Sequence, residues 1–188
     1  MERSWLDLEG EVVYTRQCKV VLNMKDHFQT NIYSTRSQMM LILLGVLHDR
    51  PGGYSKSEVI GLIEEENYFA KQLEDKKPFK SKNCGESRWL TSFAFARKDC
   101  VAEGFFVDDD VRDSWQITKK GVNAFIAIKD EFATSYFDCR KCYMWSPAFK
   151  KVMFSQYQPT DMDAARPDDV YKDYRFERSV TRYLDMID

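Results

Sequence analysis

Two thiols stand three residues apart in Cys139-Arg-Lys-Cys142. Thiolates at that spacing can grip one tetrahedral zinc ion, so Cys139 and Cys142 are weak candidate metal ligands. No second Cys-x-x-Cys exists, and Cys84, His27 or His48 would have to complete the set. A lone pair of this kind is ordinarily just two thiols, and no cofactor is expected. A redox role fits less well, because a thioredoxin-like βαβ setting is missing. Different chemistry lies between Lys76 and Lys98. There Lys76, Lys77, Lys80, Lys82, Arg88, Arg97 and Lys98 face a single acid, Glu86. Such a band can neutralise phosphates. Its plainer reading is a solvated loop followed by a polar helix face. The next stretch reverses sign, with Glu103, Asp108, Asp109, Asp110 and Asp113 against Arg112 alone.

The elements that must hold these groups are partly legible. Residues 1–34 alternate in places and fit either a helix or two short strands. Ser34-Thr35 is an N-cap for a helix over Arg36 to Asp49. Its residues Met39 to Leu44, Val46 and Leu47 make it apolar nearly all round, so it should be covered on several sides. Arg50-Pro-Gly-Gly-Tyr is a turn. Ser55-Lys-Ser-Glu58 reads as a capping box that opens a helix with Val59, Ile60 and Ile63 inside. Residues 74 to 86 are charged and broken by Pro78, which predicts a loop.

A third helix is expected from about Glu86 to Glu103. At a hundred degrees per residue, Trp89, Phe93, Ala96 and Cys100 form its inner stripe. Ser87, Thr91, Ala94 and Lys98 fall on the far side, flanked by Arg88 and Arg97. That outer stripe is free of acid and could enter a DNA major groove. Gly104 suits a left-handed cap. Phe105-Phe-Val107 and Trp115-Gln-Ile117 then read as two strands of a hairpin around an acidic turn. Thr118 caps a last helix through Gly121, Ala124, Phe125 and Ile128.

The bounds agree with a folded, intracellular chain. Its 188 residues include 44% hydrophobic and 14% aromatic residues, enough to bury a core. Few Gly and Pro argue against a long low-complexity part. The longest apolar run, Met39 to Leu44, is far below the ~18 residues of a membrane span. Acids sit where a signal peptide would be apolar, and five scattered cysteines suit a reduced cytoplasm. The net charge of -2 does not advertise nucleic-acid binding, but an average can hide segregation.

The predicted fold class is mainly α (α+β), a winged helix-turn-helix with N- and C-terminal extensions. In that fold the third helix lies in the major groove and the hairpin wing touches the neighbouring backbone. The expected division is 1–34, an extension packing on the core; 35–135, the winged-helix domain; and 136–188, an aromatic-rich extension. The last carries eleven aromatics from Tyr136 to Tyr183, too many for a disordered tail. They should pack on the domain or on a second copy, or some could stack on exposed bases.

Three stretches resemble the amino-terminal winged-helix domain of the Mrr restriction family. They are Gly52-Gly-Tyr-Ser-Lys-Ser-Glu58-Val-Ile60, Phe95-Ala96-Arg-Lys-Asp-Cys100-Val-Ala-Glu-Gly104-Phe105 and Trp115-Gln-Ile-Thr118-Lys-Lys-Gly121. The resemblance covers about residues 38 to 126, and departs from the family at Cys100 and Glu103. It implies DNA recognition, often of modified DNA and often beside a nuclease domain. A nuclease of the Mrr type would need an Asp and an (Asp/Glu)-x-Lys on adjacent strands around a divalent metal. The only match, Glu74-Asp75-Lys76-Lys77, follows no apolar strand, and two histidines are too few for an HNH site. The chain is therefore read as non-enzymatic.

The expected function is DNA binding in a restriction, defence or regulatory setting. Ser87, Arg88, Thr91 and Lys98 would face the groove of double-stranded DNA, with Arg97 at its edge. Lys76, Lys77, Lys80 and Lys82 would meet phosphates, helped by Arg112, Lys119 and Lys120. The alternative is a protein-interaction winged-helix subunit or inhibitor, which the acidic wing and pI favour. A homodimer through the C-terminal extension, a separate protein partner and no membrane contact complete the expectation.

Overall fold

The computed structural model describes residues 34–78, 85–108, 114–134, 139–154 and 157–158. They are mainly helical: α1 Thr35–Leu47, α2 Lys56–Glu65, α3 Arg88–Ala102, α4 Lys119–Thr134 and α5 Pro147–Met153. Short 3-10 turns occupy Leu73–Lys76 and Cys139–Lys141.

Helix α1 starts where Ser34 Oγ accepts the Ser37 amide at 3.1 Å. Its residues from Ser37 to Leu47 are all buried. Helices α2, α3 and α4 pack around it, which is the covering that an all-round apolar helix requires. Arg36 Nε also meets Asp99 at 2.5 Å, tying the start of α1 to α3.

Ser55 opens α2 through a full capping box. Its hydroxyl accepts the Glu58 amide at 3.3 Å, and the Glu58 carboxylate accepts the Ser55 amide at 2.7 Å. These bonds from the Ser55 amide and hydroxyl hold the Glu58 carboxyl below its ordinary pKa. A depressed carboxyl pKa means that its contribution is present at neutral pH and lost as pH falls through the folded-state value. Ser55→Ala is expected to cost about 1 kcal/mol at pH 7 in a urea titration, and less in acid, where Glu58 protonates.

The expected hairpin is sparser than two strands. Phe106 pairs with Ile117 in an isolated antiparallel bridge, and Val107 N–H donates to Gln116 O at 2.9 Å. Tyr54, expected in a turn, supplies a third partner: it bridges Trp115, with amide bonds of 3.3 and 2.7 Å in the two directions. Gly104 closes α3 at φ +70°, the left-handed conformation that glycine tolerates. Thr118 then joins hairpin to α4. Its hydroxyl donates to Gly104 O at 2.8 Å and accepts the Gly121 amide at 3.1 Å.

The segment 139–154 belongs to the same core as α1. Met144, Trp145, Phe149 and Met153 are fully buried. Gln38, the polar residue just before the apolar run of α1, is wholly buried and holds this segment. Its Oε1 accepts the Met144 amide at 2.9 Å, and its Nε2 donates to Lys141 O at 3.2 Å. Its backbone carbonyl accepts the Trp145 indole at 2.9 Å. Phe69 bridges Trp145 on the other side, with Ala70 N–H donating to Met144 O at 2.9 Å. Among the described residues, no helix is long and apolar enough to cross a membrane.

Candidate nucleic-acid interface

Helix α3 sorts its residues much as its periodicity predicts. Trp89, Ser92, Phe93, Ala96 and Cys100 are buried. Burial pushes the Cys100 thiol well above its ordinary pKa, so it is an inert core group and not a nucleophile. On the opposite side Lys98 is exposed, and Ser87, Thr91 and Ala94 are half-buried. Ser87 is the N-cap of α3, yet its hydroxyl makes no capping bond.

The basic loop begins beside the start of this helix. Pro78 and Ser87 form an antiparallel bridge, and Arg88 N–H donates to Lys77 O at 2.9 Å. Arg88 Nε reaches Pro78 O at 3.5 Å. The region expected as a loop thus opens with a 3-10 turn, and its two ends meet in a backbone clasp. Exposed Lys76 and Lys77 therefore stand next to Arg88 and Ser87. Lys80, Lys82 and Arg112 lie outside the described residues, as do Asp109, Asp110 and Asp113.

Besides Arg88, three candidates have internal work. Arg97 was expected at the edge of a groove; its Nη2 donates to Ser114 O at 2.9 Å and ties α3 to the hairpin. Thr91 Oγ1 lies 3.2 Å from Glu86 Oε2 and 3.3 Å from Ser87 O. Lys120 donates to Glu103 O at 2.5 Å, at the carbonyl end of α3, with its ammonium 5.3 Å from the Phe105 ring centre. A cation at that end complements the helix dipole, so Lys120 has a stabilising role in the fold. Lys119 is exposed.

Two residues absent from the sequence-based set join this face. Lys56, on the first turn of α2, meets Glu86 Oε1 at 2.5 Å. The pair borders a groove of about 440 Å³ between α2 and the start of α3, floored by Ile60, Gly61 and Leu90. Periodicity could not reveal that contact, since it joins residues on separate elements. The signal present in the sequence was Glu86 itself, one acid among seven bases.

Cys139 is half-buried and Cys142 buried, both as free thiols. Among the described residues, no group of three His, Cys, Asp or Glu side chains is placed to hold a metal ion. His48 is turned elsewhere, with Nδ1 2.7 Å from Gly45 O, while His27 and Cys84 lie outside the described residues. No protein-family model, curated protein or solved structure matches this chain.

Proposed function

We propose that the chain is a non-enzymatic, DNA-binding winged-helix protein whose α3 enters the major groove. The element order supports this reading: α1, the Tyr54 bridge, α2, the basic loop, α3, the paired hairpin segments and α4. One observation carries it to DNA. The Pro78–Ser87 clasp sets Lys76 and Lys77 beside Arg88 at the start of a helix whose outer face ends in exposed Lys98. Phosphate contacts from the loop would fix the register, while Ser87, Arg88 and Lys98 would reach base edges. The Mrr-like stretches point the same way, toward a reader of specific or modified DNA acting in restriction, defence or regulation.

Titration of the purified protein against plain, methylated and hydroxymethylated duplexes at several salt concentrations tests the reading. Arg88→Ala is expected to weaken binding by about 1–3 kcal/mol and to alter base preference. Lys77→Ala is expected to weaken binding to every sequence alike and lower the salt slope by about one. Variants that bind as the wild type does would remove this helix and loop from the interface.

A protein-interaction role is the second reading. The engagement of Arg97 with Ser114 favours it, as do the exposed Asp108 and the Glu86 carboxylate on the same side as the bases. Absence of binding to any duplex at low salt would shift the weight there.

A further inference from the structure

We infer that Glu86 is an internal competitor for DNA phosphate, a residue that limits non-specific binding by holding Lys56 and Thr91. The inference rests on the DNA-binding reading. Its basis is the geometry at the junction of α2 and α3.

Lys56 sits on the first turn of α2, whose partial positive charge the Glu58 carboxylate of the capping box offsets in part. Facing it across the groove is the start of α3, the part of a groove-reading helix that approaches DNA first. Lys56 is the cation on this side of the groove that a DNA phosphate could engage, and a carboxylate already holds it: Glu86 Oε1 lies 2.5 Å from Lys56 Nζ and Oε2 3.2 Å from Thr91 Oγ1. Both of its oxygens are thus committed, one to each helix. Glu86 is also the sole acid between Lys76 and Lys98. A duplex approaching this face must compete with that carboxylate for Lys56 and sits close to its charge. Like charge placed against a sequence-independent contact is a means of specificity, since it penalises every duplex that offers only its backbone. A cognate site can offset it, because a carboxylate at the head of the helix accepts from an exocyclic amine such as cytosine N4.

The decisive measurement is fluorescence anisotropy of a labelled random-sequence duplex, titrated in salt, with the full chain and with Glu86→Gln. Glutamine keeps the shape and releases the charge. With Lys56 free for one more phosphate, the salt slope is expected to steepen by about 0.9, so that a fourfold dilution of salt gains the variant a further threefold or so over the wild type. Glu86→Ala must show the same direction, which guards against a Gln variant that still holds the lysine. In a Lys56→Ala background, Glu86→Gln should leave the salt slope unchanged. Thermal melts of each variant separate unfolding from a change in affinity. If the wild type binds in a salt-dependent way and both Glu86 variants match or weaken it, the inference is overturned and the DNA reading stands. If neither the wild type nor any folded variant binds at low salt, the DNA reading fails and this inference with it.

Discussion

Trp145→Ala is expected to lower the free energy of unfolding by about 3–5 kcal/mol, the range for emptying a buried aromatic site. The indole is 1% exposed and meets three rings, with centroids 6.0 Å away at Phe132, 5.1 Å at Phe149 and 6.1 Å at Phe154. It also donates to the Gln38 carbonyl of α1 at 2.9 Å, a bond that alanine cannot make. Loss of the side chain would open a cavity between α1, α4 and the segment 139–154. Against a typical domain stability of about 5–15 kcal/mol, that is a large share. Urea unfolding of the full chain checks it. Trp145→Phe separates the two contributions, since it keeps a ring and deletes the donor; about 1–2 kcal/mol is expected there. A cost below about 1 kcal/mol for Trp145→Ala would mean that residues 139–154 are not part of the cooperative core.

Gly121→Ala should destabilise the protein by about 1–3 kcal/mol or more, against the usual sign of such a change within a helix. Alanine in a helix interior is ordinarily better than glycine by up to about 1 kcal/mol. At position 121 an added Cβ would overlap the backbone carbonyl oxygen of Phe105 and stand 2.8 Å from Ile117 Cγ1. The Phe105 carbonyl cannot swing away freely, because it accepts the Thr118 amide at 2.8 Å. The strain would therefore fall on the junction of hairpin and α4. Gly61 in α2 supplies the opposite case, since a Cβ there meets nothing within 4 Å. Gly61→Ala should stabilise by about 0.5–1 kcal/mol. Thermal melts of the two variants should move in opposite directions; movement the same way would contradict the close approach of α4 to Phe105.

Much of the local architecture was legible. The capping box at Ser55 and Glu58, the glycine at 104, and the handover from Ile117 through Thr118 to α4 all stand where sequence spacing puts them. Each depends on hydrogen bonds or backbone angles within a few residues, so the local sequence contains the whole cause. The inner stripe of α3 was legible for the same reason, as periodicity alone selects Trp89, Phe93, Ala96 and Cys100.

The candidate interface was less so. Arg97 and Thr91 fall on the outer or flanking side by angle, yet both find acceptors that angle does not reveal, at Ser114 O and at Glu86 with Ser87 O. Lys120 follows the same pattern at Glu103 O. A long polar side chain reaches several ångströms from its backbone position, so its partner depends on which element lies nearby.

By itself, then, the sequence determined where α1 to α4 begin and which stripes of α2 and α3 turn inward. It pointed to α4 as the last helix, whereas Ser146 caps a further one, α5, whose apolar residues are buried only because α1 and α4 lie beside it. Only the tertiary structure decided that Gln38 would latch Met144 and Lys141, that Tyr54 would pair with Trp115, and that Lys56 would meet Glu86. Residue type says that a buried amide or a charged group needs a partner; it does not say which one. That choice waits on the packing of α1 against its neighbours, which brings together groups separated by 30 positions in Lys56–Glu86 and by 106 in Gln38–Met144.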